Sequence, residues 1–469
     1  MTSHVQSAHT GGTSLARVYA FGIGLCLLVS IGLSFASSSL LPFVAALVAL
    51  GIAAGVFLAR PTAFLVFVLL GSAISGLKTP FDLLRVGSTD MTVSGLRWIF
   101  VAGFLAVLIV IHLKEMRQIR PYLPMTLFIA AVLLRWTTAY HSEGLKDVLF
   151  YTLPWLCGFF VAGYAARRVD VVSRAVGGTM IGSVALLFAL YVVLFATGNE
   201  QMTLEGPYGV LAPRGTSLFL LTALAASLAI WRAPISPRWR GVSRASALLA
   251  LGLIAFTMSR TAAVVGILLL AVHRVNPNKR RQLLVGGVMA VIICALLIAY
   301  VPAIHQRFFF DGAGSLSDSF TSLNTMGRAE RWSYVWDSAL EQPLLGWGPG
   351  NARIVVADVA ISAPRDAAHP HNEYLQAFHD LGAVGVVLLM LAWFSLVHYH
   401  WRGWRDGVNA GSADSVRWNL AAFLAVIAVL LTSITDNTLH YAFVVVPTLA
   451  FSGLAVAHDR FRQSETNSR

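Results

Sequence analysis

Apolar runs of about 20 residues recur along the chain from Val18 to Val456. A helix of this length is what crosses the hydrocarbon core of a bilayer. Hydrophobic residues make up 57% of the 469 residues and charged residues only 12%, whereas a soluble domain carries about 25% charged residues. So few charges cannot cover the surface of a protein of this size in water. The sequence excludes a soluble enzyme, a disordered scaffold and a nucleic-acid-binding domain, and it predicts an all-α polytopic membrane protein.

These runs predict 12 full transmembrane helices and one broken pair of shorter segments. The broken pair, 242–257 and 260–273, is either a tight hairpin that turns at Met258–Arg260 or a single bent helix. The parity of the crossings requires that the two segments cross as a pair or re-enter together, so we expect both termini of the chain in the cytoplasm. The predicted segments are 18–36, 40–58, 61–77, 93–113, 121–140, 147–165, 172–197, 214–232, 242–257, 260–273, 281–301, 376–399, 415–434 and 438–457.

The distribution of charge predicts the orientation of these helices. The chain carries 34 Lys and Arg residues against 22 Asp and Glu residues. With the N-terminus in the cytoplasm, the inner segments hold 22 basic and 6 acidic residues, and the rest holds 12 basic and 16 acidic residues. The excess positive charge then lies on one face, as the positive-inside rule requires, and no nucleic acid is needed to explain it. The inner segments are Arg17, Arg60, 114–120, 166–174, 232–244, 273–281, 402–417 and the tail from His458.

One outer loop, 302–375, is far longer than the others and divides the chain into three parts. An N-terminal transmembrane bundle (1–301) precedes it, and C-terminal transmembrane helices with a cytoplasmic tail (376–469) follow it. The three cysteines all lie in apolar segments, which indicates neither a disulfide framework nor a metal site. The outer loops contain no paired acidic motif and no glycine-rich phosphate loop. We therefore expect no metal and no cofactor.

Arginines on the predicted outer side mark a candidate phosphate site. Arg214 (GVLAPRGTSLF) lies at the outer mouth of a helix, and Arg260 (FTMSRTAAVVG) lies at the turn of the broken pair. A guanidinium at this depth is costly unless it faces a cavity, a partner or water. The long loop adds Arg328 and Arg331. Guanidinium groups bind phosphate oxygens in a bidentate manner, so we expect these side chains to bind a membrane-embedded substrate through its phosphates.

The long loop also contains a predicted amphipathic helix (GRAERWSYVWDSALE) that is followed by a turn rich in Pro and Gly. Its spacing at i, i+3, i+4, i+7 and i+8 places five residues on one face: Arg328, Arg331, Trp332, Val335 and Trp336. We expect Arg331, Trp332 and Trp336 to contact the substrate. In the alternative, the helix lies on the membrane and its arginines extend to the headgroups.

The stretch HPHNEYLQAFHDLGAVG offers a candidate base. His371 and Asn372 immediately precede a helix that starts near Glu373. The positive end of the helix dipole disfavours a protonated imidazole, and a neutral imidazole suits a general base. In the alternative, His371 or Asn372 only caps the helix, and His369 competes with His371 as the base. Asn372 is also a candidate substrate ligand, as is Arg135, which otherwise extends to the membrane surface.

Three motifs occur in a fixed order around R-x-x-x-W in the long loop: SRTAAVVG (259–266), PLLGWGPGN (343–351) and HNEYLQAFHDLGAVG (371–385). This ordered set resembles the O-antigen ligase / Wzy-type polymerase superfamily of membrane glycosyltransferases. The resemblance in motifs covers 259–385, and the remaining helices agree with the superfamily in layout. The chain length and the single dominant outer loop are most similar to the O-antigen ligases of lipopolysaccharide assembly.

The resemblance implies a GT-C-type glycosyltransferase in the bacterial inner membrane, with its active site on the periplasmic face. The donor would be O-antigen on undecaprenyl diphosphate, and the acceptor would be a hydroxyl of the lipid A–core oligosaccharide. The implied reaction is metal-independent and inverting. His371 would be the general base, Arg214 and either Arg328 or Arg331 would hold the diphosphate, and Arg260 matches the Ser-Arg motif.

Three other functions remain open from the sequence. An O-antigen polymerase uses the same donor with a second lipid-linked glycan as acceptor, but resembles this chain less because it has two substantial outer loops. A protein O-oligosaccharyltransferase is usually longer. A glycolipid transporter would have repeated halves and charges near the bilayer midplane, whereas this chain has no repeat and collects its charges on one face.

Overall fold

The computed structural model describes residues 55–76, 83–86, 89–115, 120–140, 144–196, 213–257, 259–300, 305, 328–359 and 369–467. The predicted helix 18–36, most of 40–58 and the outer stretch 198–212 lie outside these residues. The chain divides into two compact units, 1–68 and 69–469. In the described part of the first unit, the rings of Phe57 and Phe64 pack edge to face at 5.3 Å. Helix 61–73 spans the boundary between the two units.

Fourteen α-helices lie entirely within the described residues, and seven of them (α4–α7 and α12–α14) are long and apolar enough to cross a membrane. The helices are α1 Pro61–Ala73, α2 Val93–Ile111, α3 Leu123–Thr138, α4 Gly144–Tyr164, α5 Val169–Ala196, α6 Pro213–Arg232, α7 Pro237–Phe256, α8 Arg260–Val272, α9 Arg280–Tyr300, α10 Arg328–Glu341, α11 Asn351–Val359, α12 Glu373–Asn409, α13 Ala413–Thr432 and α14 Ala442–Asn467. This architecture confirms the all-α polytopic membrane protein. The predicted number of 12 spans stays a prediction.

One short hairpin departs from the helical architecture. Strands β1 (Leu83–Val86) and β2 (Thr89–Thr92) pair antiparallel, with Leu83 opposite Thr92. They fall in a stretch that the sequence assigned to an outer loop between two helices. A two-stranded ribbon of this length has too little hydrophobic periodicity to stand out beside transmembrane segments.

The core is built where central helices approach closely through small residues. Gly158 of α4 faces Gly453 of α14, and a Cβ on Gly453 would lie 2.6 Å from the Gly158 carbonyl oxygen. Small residues let two backbones meet, which is how membrane helices associate without help from water. α14 and its neighbours α6 and α13 are therefore almost entirely buried, including the large side chains Phe219, Trp418 and Phe451.

The broken pair is a hairpin and not a bent helix. A Cβ on Gly266 of α8 would lie 3.3 Å from Cδ2 of Leu251 in α7, and these two residues are equally far from the turn. The two helices therefore run side by side in opposite directions. The prediction for the first segment was too short: α7 begins at Pro237, at the first helical position that proline favours, and has 20 residues.

The predicted inner loops meet at one end of the helices. The Arg417 guanidinium donates to the carbonyls of Ala233 (2.5 Å) and Pro234 (2.8 Å), and Arg232 donates to the carbonyl of His273 (3.0 Å). These contacts join the loops 232–244, 273–281 and 402–417. Two boundaries were predicted too early at this end: α12 continues to Asn409, and α14 continues into the predicted tail as far as Asn467.

The long loop packs against α12 through its Pro- and Gly-rich turn. Gly346 (φ +68°) and Gly382 (φ +66°) meet backbone to backbone, so a Cβ on either would overlap the other segment. The Gly348 N–H donates to the Asp380 carbonyl (2.8 Å), and the Asp380 carboxylate accepts from the Ala352 N–H (2.7 Å) at the start of α11. The turn that the sequence predicted after the amphipathic helix is therefore structural, and it fixes α10 and α11 on the membrane helices.

Candidate active site

The candidate site lies where four helices begin. Arg214 is in the first turn of α6, Arg260 is the first residue of α8, Arg328 is the first residue of α10, and His371 lies two residues before α12. Each helix N-terminus carries a partial positive charge and unpaired N–H groups. The local sequence thus places a cationic side chain at the positive end of three of these helices, which favours an anion.

His371 contacts a carboxylate that comes from the turn between α13 and α14. Its Nδ1 lies 3.2 Å from Oδ1 of Asp436, and the other oxygen of Asp436 lies 3.2 Å from Nε of Arg214. Nη1 of Arg214 is 3.4 Å from Nδ1 of His371. The Asp436 side chain is buried, and it also accepts from the Tyr441 hydroxyl (3.1 Å). Asp436 therefore joins His371 to Arg214.

The contact with Asp436 favours one tautomer of His371. A carboxylate beside Nδ1 favours the tautomer in which Nδ1 carries the hydrogen and donates it to Asp436. Nε2 then carries the lone pair, and it makes no hydrogen bond with the described residues. An imidazole held through Nδ1 with a free Nε2 is the arrangement in which a carboxylate orients a histidine base. Asp436 is a positioning residue in this geometry.

The backbone of His371 is held in an unusual conformation. His371 has φ 53°, a left-handed value that a residue other than glycine rarely adopts. Its N–H donates to Oδ1 of the buried Asn437 (2.7 Å), and the Trp332 indole donates to the carbonyl of Pro370 (2.7 Å). Asn372 caps α12, because its side chain accepts from the Leu375 N–H (3.1 Å). The cap is therefore Asn372, and the His371 imidazole is directed elsewhere.

Arg328 interacts electrostatically with Arg214 and Asp436. Burial and the neighbouring Arg214 and Arg260 lower the pKa of Arg328 to about 10, and Asp436 opposes the two arginines. Arg328 thus interacts with two other guanidinium groups and with one carboxylate, which leaves excess positive charge in a partly buried place. A bound anion would relieve this excess. Arg328, Arg214 and Arg260 are named the arginine cluster below.

The same charges keep His371 neutral and Asp436 ionised. Burial lowers the pKa of His371, with Arg214 and Arg328 lowering it further and Asp436 opposing them. Burial alone would raise the pKa of Asp436, but the contacts with His371 and Arg214 outweigh it and the pKa falls. Burial and the Asp436 charge raise the pKa of Tyr441, so its hydroxyl stays protonated. At neutral pH the site therefore holds a neutral imidazole beside a carboxylate.

His369 occupies a different environment from His371. Burial and the nearby Arg353 and His440 lower its pKa well below the ordinary value. Its ring centre is 6.5 Å from that of His371 and 5.7 Å from that of His440. Nδ1 of His369 is buried and has no hydrogen-bond partner among the described residues. The histidine that touches Asp436 and the arginine cluster is His371, which distinguishes the two candidates that the sequence left open.

The remaining predicted substrate ligands are placed outside the arginine cluster. Within the part of the chain that the structure describes, no contact joins Arg331 to Arg214, Asp436 or His371. Half-exposed Trp336 packs on Phe378, with ring centres 5.4 Å apart. Arg135 donates to the carbonyl of Gly346 and to Oε1 of Gln342 (3.3 Å), so it holds the turn of the long loop. The long-loop arginine beside Arg214 is therefore Arg328.

Sequence reasoning missed a buried polar network beneath His371. The carboxylates of Asp147 and Glu373 are fully buried, and the His440 ring lies between them, 3.3 Å from one and 3.2 Å from the other. Buried charges are stable only when paired, and an ion pair from Arg353 of α11 completes the set. Further hydrogen bonds come from Tyr151, Gln376 and Asn437. The sequence feature that could have indicated this network is the stretch DNTLH at 436–440, which lies in a short turn between two apolar helices.

Part of the chain is similar to a known protein family. Residues 245–390 match the family model described as O-antigen ligase. The match includes Arg260, Arg328 and His371, whereas Arg214 and Asp436 lie outside it. No curated protein matches the chain. This match supports the assignment of this membrane protein to the O-antigen ligase family.

Proposed function

We propose that the protein transfers O-antigen glycan from undecaprenyl diphosphate to a hydroxyl of the lipid A–core oligosaccharide. The match of residues 245–390 to the O-antigen ligase family model supports a ligase or polymerase type of activity on lipid-linked polysaccharide. The observation that carries the finer proposal is the contact of His371 with Asp436 beside the arginine cluster. This contact places a neutral imidazole, which can act as a base, beside arginines that would bind a diphosphate.

In the proposed reaction the acceptor hydroxyl gives its proton to Nε2 of His371. The hydroxyl oxygen attacks the anomeric carbon of the donor, and the bond from that carbon to the diphosphate oxygen breaks. One displacement of this kind inverts the anomeric centre. The electron pair of the broken bond goes to the diphosphate, and the imidazolium later releases its proton to solvent.

Charge explains how each group would lower the barrier. Arg214, Arg260 and Arg328 stabilise the negative charge that develops on the leaving diphosphate, as preorganised donors do in other transferases. The Asp436 carboxylate stabilises the imidazolium that forms on His371. Because guanidinium groups and helix N-termini supply this charge, the proposed mechanism is metal-independent. Two lipid-anchored substrates at one membrane surface also gain from proximity.

The proposed side of the membrane is the periplasmic face. The site lies at the ends where α6, α8 and α12 begin, and the contacts among the basic loops 232–244, 273–281 and 402–417 lie at the other ends of these helices. Basic loops stay in the cytoplasm of bacteria, so this arrangement supports a site that faces the periplasm of the inner membrane.

The deciding experiment incubates purified protein with lipid-linked O-antigen and lipid A–core in the presence of a metal chelator. Glycan joined to lipid A–core is the expected product. A lengthened lipid-linked glycan, formed equally well without lipid A–core, would instead identify a polymerase, and glycosylated protein would identify a protein O-oligosaccharyltransferase. His371→Gln should be inactive, and the matched control His398→Gln changes an exposed histidine at the opposite end of α12 and should be active.

A further inference from the structure

Helix α10 has an exposed apolar edge that none of the described residues covers. Trp336 and Leu340 are one helical turn apart, and 49% and 52% of their surfaces are exposed. Leu344 and Leu345 follow in the turn after the helix and are 69% and 58% exposed. Exposed apolar residues of this size and number, in contiguous positions, indicate a surface that another molecule covers.

The other exposed edge of α10 is different in character. Tyr334, Asp337 and Glu341 are exposed and lie at i, i+3 and i+7, which places them on one stripe. The inner face is buried through Val335, and Trp332 packs against the same small core. The helix therefore has a buried face, an apolar edge and a polar edge, as expected for a helix at a boundary between lipid and water.

The apolar edge continues onto surfaces that face lipid. The Ala383 N–H donates to the carbonyl of Pro343 (2.8 Å), and the Val384 N–H lies 3.3 Å from the carbonyl of Leu344. From there the exposed apolar side of the spanning helix α12 continues through Val384, Val387, Leu391 and Phe394. On its other side the turn is held by Arg135, at the outer end of α3, whose exposed residues include Leu127 and Leu134.

We infer that the apolar edge of α10 and the turn Leu344–Leu345 are embedded in the bilayer leaflet on the side of the candidate site, where acyl chains cover them. The occupant is lipid because the edge is continuous with the exposed apolar surface of α12, which a spanning helix must present to lipid. The polar edge with Asp337 and Glu341 faces water. α10 is then anchored by the membrane as well as by the protein, and its first residue is Arg328.

This inference does not depend on the proposed activity, so an accessibility measurement tests it directly. The full chain without its three cysteines receives a single spin-labelled cysteine at Leu340 or Leu344 and is reconstituted into phospholipid nanodiscs. Matched labels replace Asp337 and Glu341 on the other edge of the same helix. Collision with oxygen, which concentrates in lipid, is compared with collision with a water-soluble nickel complex.

We expect oxygen collisions to exceed nickel collisions at Leu340 and Leu344, and the ratio to reverse at Asp337 and Glu341. More nickel than oxygen collisions at Leu340 and Leu344 would overturn the inference, because the edge would then face water. Low collision rates with both reagents would overturn it as well, because a protein surface such as a second copy would then cover the edge.

A second measurement avoids the loss of the native cysteines. A photo-crosslinking amino acid at Leu340 of the otherwise unchanged protein should attach to phospholipid, and the adduct is identified by mass spectrometry. The same amino acid at Asp337 should give little lipid adduct. Equal lipid adducts at the two positions, or protein adducts at Leu340, would contradict a lipid-covered edge.

Discussion

Replacement of Asp436 by Asn tests the proposed mechanism most directly. The carboxylate oxygen Oδ1 accepts from three donors, which are Nδ1 of His371 (3.2 Å), the Tyr441 hydroxyl (3.1 Å) and the Asn437 N–H (3.0 Å). Oδ2 faces Nε of Arg214 at 3.2 Å. In Asp436→Asn, the amide oxygen will therefore occupy the position of Oδ1, and the NH₂ group will face Arg214. The tautomer of His371 is preserved, but the negative charge is lost.

The size of the effect follows from the lost charge. A hydrogen bond to a charged group contributes about 1.5–3 kcal/mol. If Asp436 stabilises the imidazolium only in the transition state, kcat should fall by roughly ten- to more than a hundredfold. Because Asp436 raises the pKa of His371 against burial, Asp436→Asn should also lower that pKa. The base needs a neutral imidazole, so the acidic limb of the pH–rate profile should move to lower pH.

The assay is a pH–rate profile of glycan transfer by protein in nanodiscs, with donor binding measured in parallel. Asp406→Asn is the matched control, since it makes the same chemical change at an exposed carboxylate that pairs with Arg405 outside the site. It should leave both kcat and the profile unchanged. The mechanism would be refuted by a folded Asp436→Asn protein with wild-type kcat, or by an acidic limb that moves to higher pH.

The remaining predictions concern the base, the diphosphate site, the fold and the orientation. His371→Asn should fold, because Asn tolerates a positive φ, and should lose about 10²–10⁴-fold in turnover while donor binding persists; an active variant would end the role of His371 as base. Arg328→Met should weaken donor binding by roughly tenfold or more. It should also move the acidic limb of the pH–rate profile to higher pH, because Arg328 lowers the pKa of His371. Arg331→Met should do neither, and equal losses in the two variants would contradict the assignment of Arg328. Gly382→Ala should lower thermal stability, since its φ of 66° and ψ of −170° strain any other residue by about 1–3 kcal/mol, and an unchanged Tm would contradict the backbone packing. A single cysteine in the loop 273–281 should resist a membrane-impermeant maleimide added from the periplasmic side, and labelling there would reverse the proposed topology.

The sequence alone was sufficient for the class of protein and most helix positions, and it named the candidate site residues. Each apolar segment enters lipid on the strength of its own residues, and basic residues mark the loops between segments. The helices Pro213–Arg232 and Ala413–Thr432 could therefore be predicted to within a few residues. Motifs also identified the segments that hold His371 and the arginines. The extension of α12 to Asn409 and the hairpin at 83–92 escaped prediction, because polar helix ends and short strands carry no such signal.

Only the tertiary structure decided which of the candidates lie together. Asp436 and His371 are 65 residues apart, and Arg214 and His371 are 157 residues apart. Their contact depends on how α6, α12 and α13 pack, because periodicity within one helix defines a face but not the neighbour of that face. For the same reason, spacing could not separate Arg328 from Arg331, or His371 from His369. Packing placed one member of each pair beside Asp436. The sequence alone could not distinguish Asp436 from the other acidic residues among the sixteen outside the predicted inner segments.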